Sequence, residues 1–298
     1  MFGVINLNKP LHLTSHDVVA KVRRKLGIKK VGHCGTLDPL AEGVLPVCVG
    51  NATRLIEYFP DDKRYRAEIT LGLTTLTWDA EGEVLQTVSA EHITKEQLQE
   101  ALSHFQGKIL QQVPPHAAVH VKGKKLYEYA RQGIVVELPV RETTLFETHL
   151  MDFQKQTLAH PVVTLEIHCS KGTYIRSIAK ALGDQLGCGA FLSALTRTSH
   201  GKFLLEESVT LETFLEAAHP DVYLQNPINY LPLPQCSLSS ENMNKIGHGM
   251  KLQPDELALS IHNNQHYLLV YEGMPTAIAI GEASGRLKPL KVFSRPPA

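Results

Sequence analysis

The sequence predicts an α+β protein, a large first domain followed by a small β-rich one, and three observations carry that prediction. Residues 63–73, KRYRAEITLGL, place Tyr65, Ala67, Ile69 and Leu71 on one side of a period-two pattern, the mark of a half-buried strand. Residues 94–107, TKEQLQEALSHFQG, set Leu98, Ala101, Leu102 and Phe105 on one helical face, behind a capping box of Thr94 and Gln97. Within residues 236–295 the runs HYLLVYEG, TAIAIGEA and LKPLKVFS are separated by glycines, as in a small β-barrel. The proline-rich stretch HPDVYLQNPINYLPLPQC reads as a linker, which divides the chain into residues 1–231 and 232–298.

At 298 residues and 43% hydrophobic composition, the chain can bury one large core and one small one. No apolar run approaches the roughly 20 residues that span a bilayer, and MFGVINLNKP lacks the layout of a signal peptide, so a cytoplasmic protein without membrane contact is expected. The five cysteines are scattered and never form a CxxC pair, which suggests neither a disulfide framework nor a zinc site. His33 beside Cys34 has no second ligand pair, so no metal is expected. Net charge is zero, yet residues 1–66 hold eleven Lys/Arg against six acids, and residues 67–106 hold seven acids and one Lys. A basic face for a polyanion can exist on such a neutral protein.

Taken in order, INLNKPLHLTSHDVV reads as a strand, a proline turn and a helix start, with Thr14 as N-cap and Asp17 completing an approximate capping box. Val18, Val22 and Leu26 share a helix face and Gly27 stops the helix. The stretch GHCGTLDPLAEGVLPVCVG, residues 32–50, then sets Asp38 in a polar loop ahead of a buried strand through Val44, Leu45, Val47, Cys48 and Val49. Gly32 and Gly35 are expected to supply unusual backbone conformations, while Pro39 drives Asp38 out of the α region. An Asp before Pro also suits a plain turn. NATRLIEYF is a short helix ended by Pro60, and a turn at Asp79–Gly82 leads to the strand EVLQTV. Strand-like runs near 134–138 and 141–153 precede PVVTLEIHCSKGTYIRSIAKALGDQLG, a strand through Val163, Leu165, Ile167 and Cys169, then a helix that Thr173 can cap. Arg176 falls in that helix's first turn, where the dipole disfavours a cation, so it needs solvent or an anionic partner. FLSALTRTSHGKF reads as two strand pieces around a turn, SVTLETFLEAA as a short amphipathic helix, and ENMNKIGHGMKL as a polar helix.

The run from His33 through Leu37, Asp38 and Pro39 to a glycine-ended strand resembles the catalytic motif of the TruB family of tRNA pseudouridine synthases. NKPLHLTSHDVV, the K-x-Y context of Tyr65, GKKLYEYARQG at 123–133, KGTYIR and FLSALTRTSHGKF resemble further motifs of that family, so the likeness extends over most of residues 1–205. It implies a pseudouridine-synthase fold on a mixed, mainly antiparallel sheet with flanking helices, and a PUA-like RNA-binding barrel at the end. It also implies Asp38 as the catalytic aspartate, Tyr65 as the active-site tyrosine and Arg176 as the partner of Asp38. His33 would contact RNA around the displaced uridine, Leu195 would pack near the base, Arg197 would lie near RNA phosphate, and Lys171 and Tyr174 belong to the same substrate-binding set. Lys9 and Pro10 would support the catalytic loop. The family's PP, any residue, Tyr-Ser-Ala segment is altered to PPHAAVH, which leaves the path of His116–Val121 open.

The implied activity is conversion of uridine-55 in the tRNA T-loop to pseudouridine by a monomer that needs no cofactor. The chemistry suits these residues: an ionised carboxylate can attack ribose or take its proton, and a tyrosine can stack on an unpaired base. Two other classes stand beside it. A catalytically weak tRNA-binding or tRNA-folding protein would need the basic face alone. A carboxylate glycosidase would need a second acid, for which Glu42 is the nearby candidate.

Overall fold

A computed structural model gives the fold and describes residues 1–154 and 159–293. β1 (Gly3–Lys9) turns into α1 (Ser15–Leu26), β2 (Val31–His33), β3 (Ala41–Val49) and a 3-10 helix at Gly50–Tyr58. Next come β4 (Lys63–Leu71), the hairpin β5 (Leu73–Thr75) and β6 (Val84–Thr87), α2 (Lys95–Ser103) and β7 (Gly107–Gln112). A second hairpin, β8 (His120–Val121) and β9 (Lys124–Lys125), precedes α3 (Leu126–Arg131). β10 (Val140–Gln154), β11 (Val162–Cys169), α4 (Ile175–Gln185) and β12 (Ala190–His200) follow. After β13 (Phe203–Leu204), β14 (Val209–Thr210) and α5 (Leu211–Glu216) the tail holds β15 (Gln235–Ser237), α6 (Ser240–Gly247), β16 (His266–Tyr271), β17 (Met274–Gly281) and β18 (Leu287–Val292).

Ten strands make one mixed sheet in the order β14-β1-β3-β12-β4-β11-β10-β7, with β2 beside β3 and β13 beside β12. Most neighbours are antiparallel, while β3 runs parallel to β12 and β1 to β14. The unbroken apolar run of β3 reflects burial on both faces. Leu45, Val47 and Val49 pack under α1 and α5 with Val18, Val22, Leu211 and Phe214, whereas Val44 and Cys48 face Ala52, Leu55 and Phe203. Further along the sheet, α2 and α4 cover β4, β11 and β12 through Leu98, Ile178 and Leu182 against Ile69, Leu165 and Leu192. Thr14 and Asp17 form a complete capping box, Gly27 ends α1 at φ 66°, and Arg23 reaches Val31 O at 2.7 Å.

Several expectations change. Residues 134–138 are not a strand; Val136 and Leu138 pack instead beside Val113 and Leu126. Thr173 does not cap α4: its hydroxyl bonds Ser170 O, and Tyr174 takes the cap position with its amide donated to the Gln111 side chain at 2.7 Å. Gly32 and Gly35 do not occupy the left-handed region, so they serve space rather than conformation, and a Cβ on Gly35 would lie 3.1 Å from the His200 ring. Gly43 is the glycine whose backbone is unusual, at φ 106°, where a side chain would collide with the Arg197 carbonyl.

The tail is not a closed barrel among the described residues. It is an open four-stranded sheet, β15-β16-β17-β18, whose first strand has only three residues, and Met243 and Ile246 of α6 pack with Tyr267, Leu269 and Ala277. Nor is the proline-rich stretch a free linker. Gln225 exchanges backbone hydrogen bonds with Val4, and Tyr230 stacks on Phe203 at 4.0 Å. The other face of the tail sheet, Leu268, Val270 and Ile278 with Phe293, shares one apolar cluster with Val4, Leu55 and Phe59. Leu268→Ala, at a fully buried position in that cluster, should cost about 3 kcal/mol. Because the cluster joins tail and main sheet, the loss should appear as one shifted transition in urea unfolding followed by circular dichroism.

Candidate active site

The loop after β2 is held at nearly every backbone carbonyl. Arg197 donates to Gly35 O at 3.0 Å, to Thr36 O at 3.3 Å and to Val44 O at 2.6 Å. Ser15, in the first turn of α1, donates to Leu37 O at 3.2 Å and accepts from the Leu37 amide at 2.8 Å. Asp38 O accepts from Ala41 N at 3.1 Å, which closes a turn with Pro39 at its second position, and Pro39 O accepts from His12 N at 2.8 Å. Lys9 stands behind this contact: its buried ammonium donates to Pro10 O and Leu13 O at 2.9 and 2.7 Å, folding the turn that carries His12 at φ 65°. Lys9 is thus buried behind the loop, while Pro10 is exposed and lends its carbonyl to the Lys9 ammonium.

The Asp38 carboxylate stands 2.8 Å from the Arg176 guanidinium, which is 6% exposed. The same guanidinium lies 3.4 Å from Asp79, which is 3% exposed and is itself held by Thr77 and the Glu81 amide. Two carboxylates therefore answer the cation that the dipole of α4 disfavours. Asp79 was legible only as a turn residue, because its role depends on the β5–β6 hairpin reaching α4. Asp38, Tyr65, Lys171, Tyr174, Arg176 and Leu195 all line one open cavity of ≈ 830 Å³. Tyr65 and Leu195 are 6% and 8% exposed and meet on the neighbouring strands β4 and β12. Burial pushes the Tyr65 phenol up, with the nearby Arg197 charge pulling against it.

His33 and Arg197 do not line that cavity. Arg197 is fully buried beneath the loop, and its guanidinium is engaged by three backbone carbonyls, so the expected contact with RNA phosphate is corrected: a phosphate has no path to it. His33 is half-buried, edge-on to His16 at 5.4 Å, and burial followed by the charges of His16 and Arg197 lowers it to about 4. Burial and Arg197 likewise drop Lys63 to about 8 and drive His200 well below the ordinary histidine range. Lys9 falls to about 8 through burial, with Asp38 opposing.

The cavity wall includes residues that the motif reading left out. His116, Ala117 and Val119 come from the altered segment, which packs through Tyr127 N to Ala117 O at 3.2 Å and Leu126 N to Val119 O at 2.9 Å. Tyr127 and Arg131 are one turn apart on α3, with the cation 5.3 Å from the ring centre, and the basic-aromatic interleaving of GKKLYEYAR was the available signal. Glu42 lies elsewhere: it accepts from Thr196 at 3.2 Å and lines a different cavity, so it is not the second acid a glycosidase needs. Among the described residues no three His, Cys, Asp or Glu side chains are grouped to hold a metal ion.

Arg197→Met should destabilise the protein by about 3 kcal/mol, because three carbonyls lose their donor. The salt dependence of binding to the tRNA that the resemblance implies should stay unchanged, whereas loss of a phosphate contact would reduce that slope by about one. Urea titration and filter binding across salt concentrations read the two effects. His33 titrates near 6.5 when unfolded and about 4 when folded, so between those values the unfolded chain binds more protons and stability falls as pH drops. His33→Gln should make that fall shallower between pH 6.5 and about 4, as read from urea midpoints across pH.

Residues 23–175 match the model of the TruB family pseudouridylate synthase N-terminal domain, and residues 176–230 match that of the tRNA pseudouridylate synthase B C-terminal domain. The chain is 44% identical over 298 residues to tRNA pseudouridine synthase B of Carboxydothermus hydrogenoformans, covering 98% of this chain and 99% of the relative. It is 40% identical over 307 residues to the protein of that name from Dehalococcoides mccartyi, covering 99% and 97% of the two chains. For the one from Acaryochloris marina the values are 48% over 240 residues, covering 78% and 82%. In fold it is similar to a chain of a Cbf5-Nop10-Gar1 complex, with a TM-score of 0.74 at 24% identity over 99% of this chain and 85% of the other. The chain belongs to the TruB family of tRNA pseudouridine synthases, isomerases that make pseudouridine in tRNA.

Proposed function

We propose that this isomerase acts on uridine-55 in the T-loop of tRNA, with Asp38 as the group that attacks the ribose or takes its proton. The observation that carries the reading is the Asp38 carboxylate, 38% exposed and 2.8 Å from Arg176, in a cavity bordered by Tyr65 and Leu195. The reaction breaks the bond from C1′ to N1, turns the base, joins C1′ to C5 and releases the C5 proton. A base drawn out of its stack would lie between Leu195 and the Tyr65 ring, with the phenol near the proton to be removed. Arg176 faces the Asp38 carboxylate and sets its direction, and Asp79 fixes Arg176 from behind.

Tyr174 at the wall and Lys171 at the mouth would meet the RNA. The Lys171 ion pair with Asp61, 2.7 Å long at side-chain exposures of 77% and 49%, is a surface pair of little worth and can yield to a phosphate. His33 lies one residue outside the cavity wall and would meet RNA only at the rim. Lys9 and Pro10 act as supports. We further propose that residues 1–231 form the catalytic unit and residues 232–298 a PUA-like RNA-binding unit, and that the protein works as a cytoplasmic monomer. Among the described residues no helix is long and apolar enough to cross a membrane.

Asp38→Asn keeps shape and removes charge. Release of tritium from C5-labelled uridine in a tRNA transcript should fall by at least ~10²-fold while tRNA affinity stays within a few-fold. Appreciable turnover in the purified variant would sink the assignment. Arg176→Lys retains the charge but loses the planar fork that can face two carboxylates. Single-turnover rates at saturating tRNA should drop by about 10–100-fold with little change in affinity; weakened binding at the parent rate would make Arg176 a phosphate anchor instead.

A further inference from the structure

The pairing of β2 with β3 brings together two cysteines that stand 14 residues apart in the chain. Gly32 lies opposite Cys48 and His33 opposite Val47, and the Cys34 amide donates to Pro46 O at 2.9 Å. Cys34 and Cys48 are therefore diagonal neighbours on one face, with their sulfurs 3.8 Å apart. Among the described residues no other two thiols are in contact. The two differ in access. Cys34 is half-buried and lines the Asp38 cavity, whereas Cys48 is fully buried.

We infer that Cys34 and Cys48 form an oxidisable thiol pair, a modification site at which hydrogen peroxide closes a disulfide beneath the Asp38 loop. The Cys34 thiolate attacks one peroxide oxygen, the O–O bond breaks, and hydroxide leaves to be protonated to water. The Cys48 sulfur then attacks the Cys34 sulfenic acid, loses its proton and expels hydroxide, which together leave as a second water. Two thiols and one peroxide give one disulfide and two waters, with two electrons passing from sulfur to peroxide.

A disulfide needs about 2.05 Å between sulfurs, so the pair must close by nearly 2 Å. Cys48 cannot supply the movement readily, since β1 and β2 pair with its strand at Val4 and Gly32. The displacement falls on Cys34, one residue before Gly35, whose carbonyl Arg197 holds. Closing the bond therefore pulls on the contacts that aim Asp38. The rate consequence rests on the Asp38 reading, while formation of the bond does not.

The full-length protein would be treated with hydrogen peroxide, alkylated and mapped by mass spectrometry, with single-turnover tritium release measured before and after. A Cys34–Cys48 linked peptide is expected, together with a rate lowered by about tenfold or more and restored by dithiothreitol. Cys48→Ala should give no linked peptide and accumulate sulfenic and sulfinic acid at Cys34; if that variant does not fold, Cys48→Ser replaces it. Absence of the linked peptide from oxidised wild-type protein overturns the thiol pair, and a linked protein that reacts at the parent rate overturns its effect on the Asp38 loop. A reduced protein without activity would instead defeat the Asp38 reading, and the linked peptide would still decide the thiol pair.

Discussion

The buried guanidinium of Arg197 is the contact on which the site depends. It carries its charge into a space closed to water, and it is compensated there by the carbonyls of Gly35, Thr36 and Val44. Those carbonyls belong to the loop before Asp38 and to the strand after it, so one side chain ties both ends of the segment. The parallel pairing of β3 with β12 makes this possible, and it requires Gly43, because any side chain there would strike the Arg197 backbone. The same charge reaches outward. With burial, it holds His33 and His200 below the ordinary histidine range and lowers Lys63 to about 8, so the two imidazoles beneath the loop stay neutral at pH 7 while the guanidinium keeps its charge.

Above that base lies a chain of three charges at the candidate site. Asp38 meets Arg176, and Arg176 meets Asp79. Each element comes from a different part of the chain: a loop, the first turn of α4, and the β5–β6 hairpin. The inner carboxylate is almost fully buried and the outer one is more than a third exposed, so the triad presents one acid to the cavity and keeps the other as an anchor. An arginine that would be unfavourable at an isolated helix N-terminus becomes a fixed orienting group once both carboxylates surround it.

Periodicity and capping rules made most of the individual elements legible: β4 from its alternation, α2 from its face and capping box, and α1 from Thr14, Asp17 and Gly27. These features depend on neighbours within a few residues, where backbone geometry alone decides. The tail strands were legible for the same reason, whereas closure into a barrel was not, because closure depends on whether edge strands meet.

By itself the sequence determined most of the local structures, the loop that carries Asp38 and, through motif likeness, the set of residues that should gather there. Tertiary structure alone decided that Arg197 points inward, that Asp79 backs Arg176, that the proline-rich stretch docks on β1 and that Cys34 meets Cys48. The physical reason is common to all four. Each depends on which surfaces the sheet brings face to face, and a polar side chain between a carbonyl cluster and solvent reads the same in sequence until packing has removed the solvent.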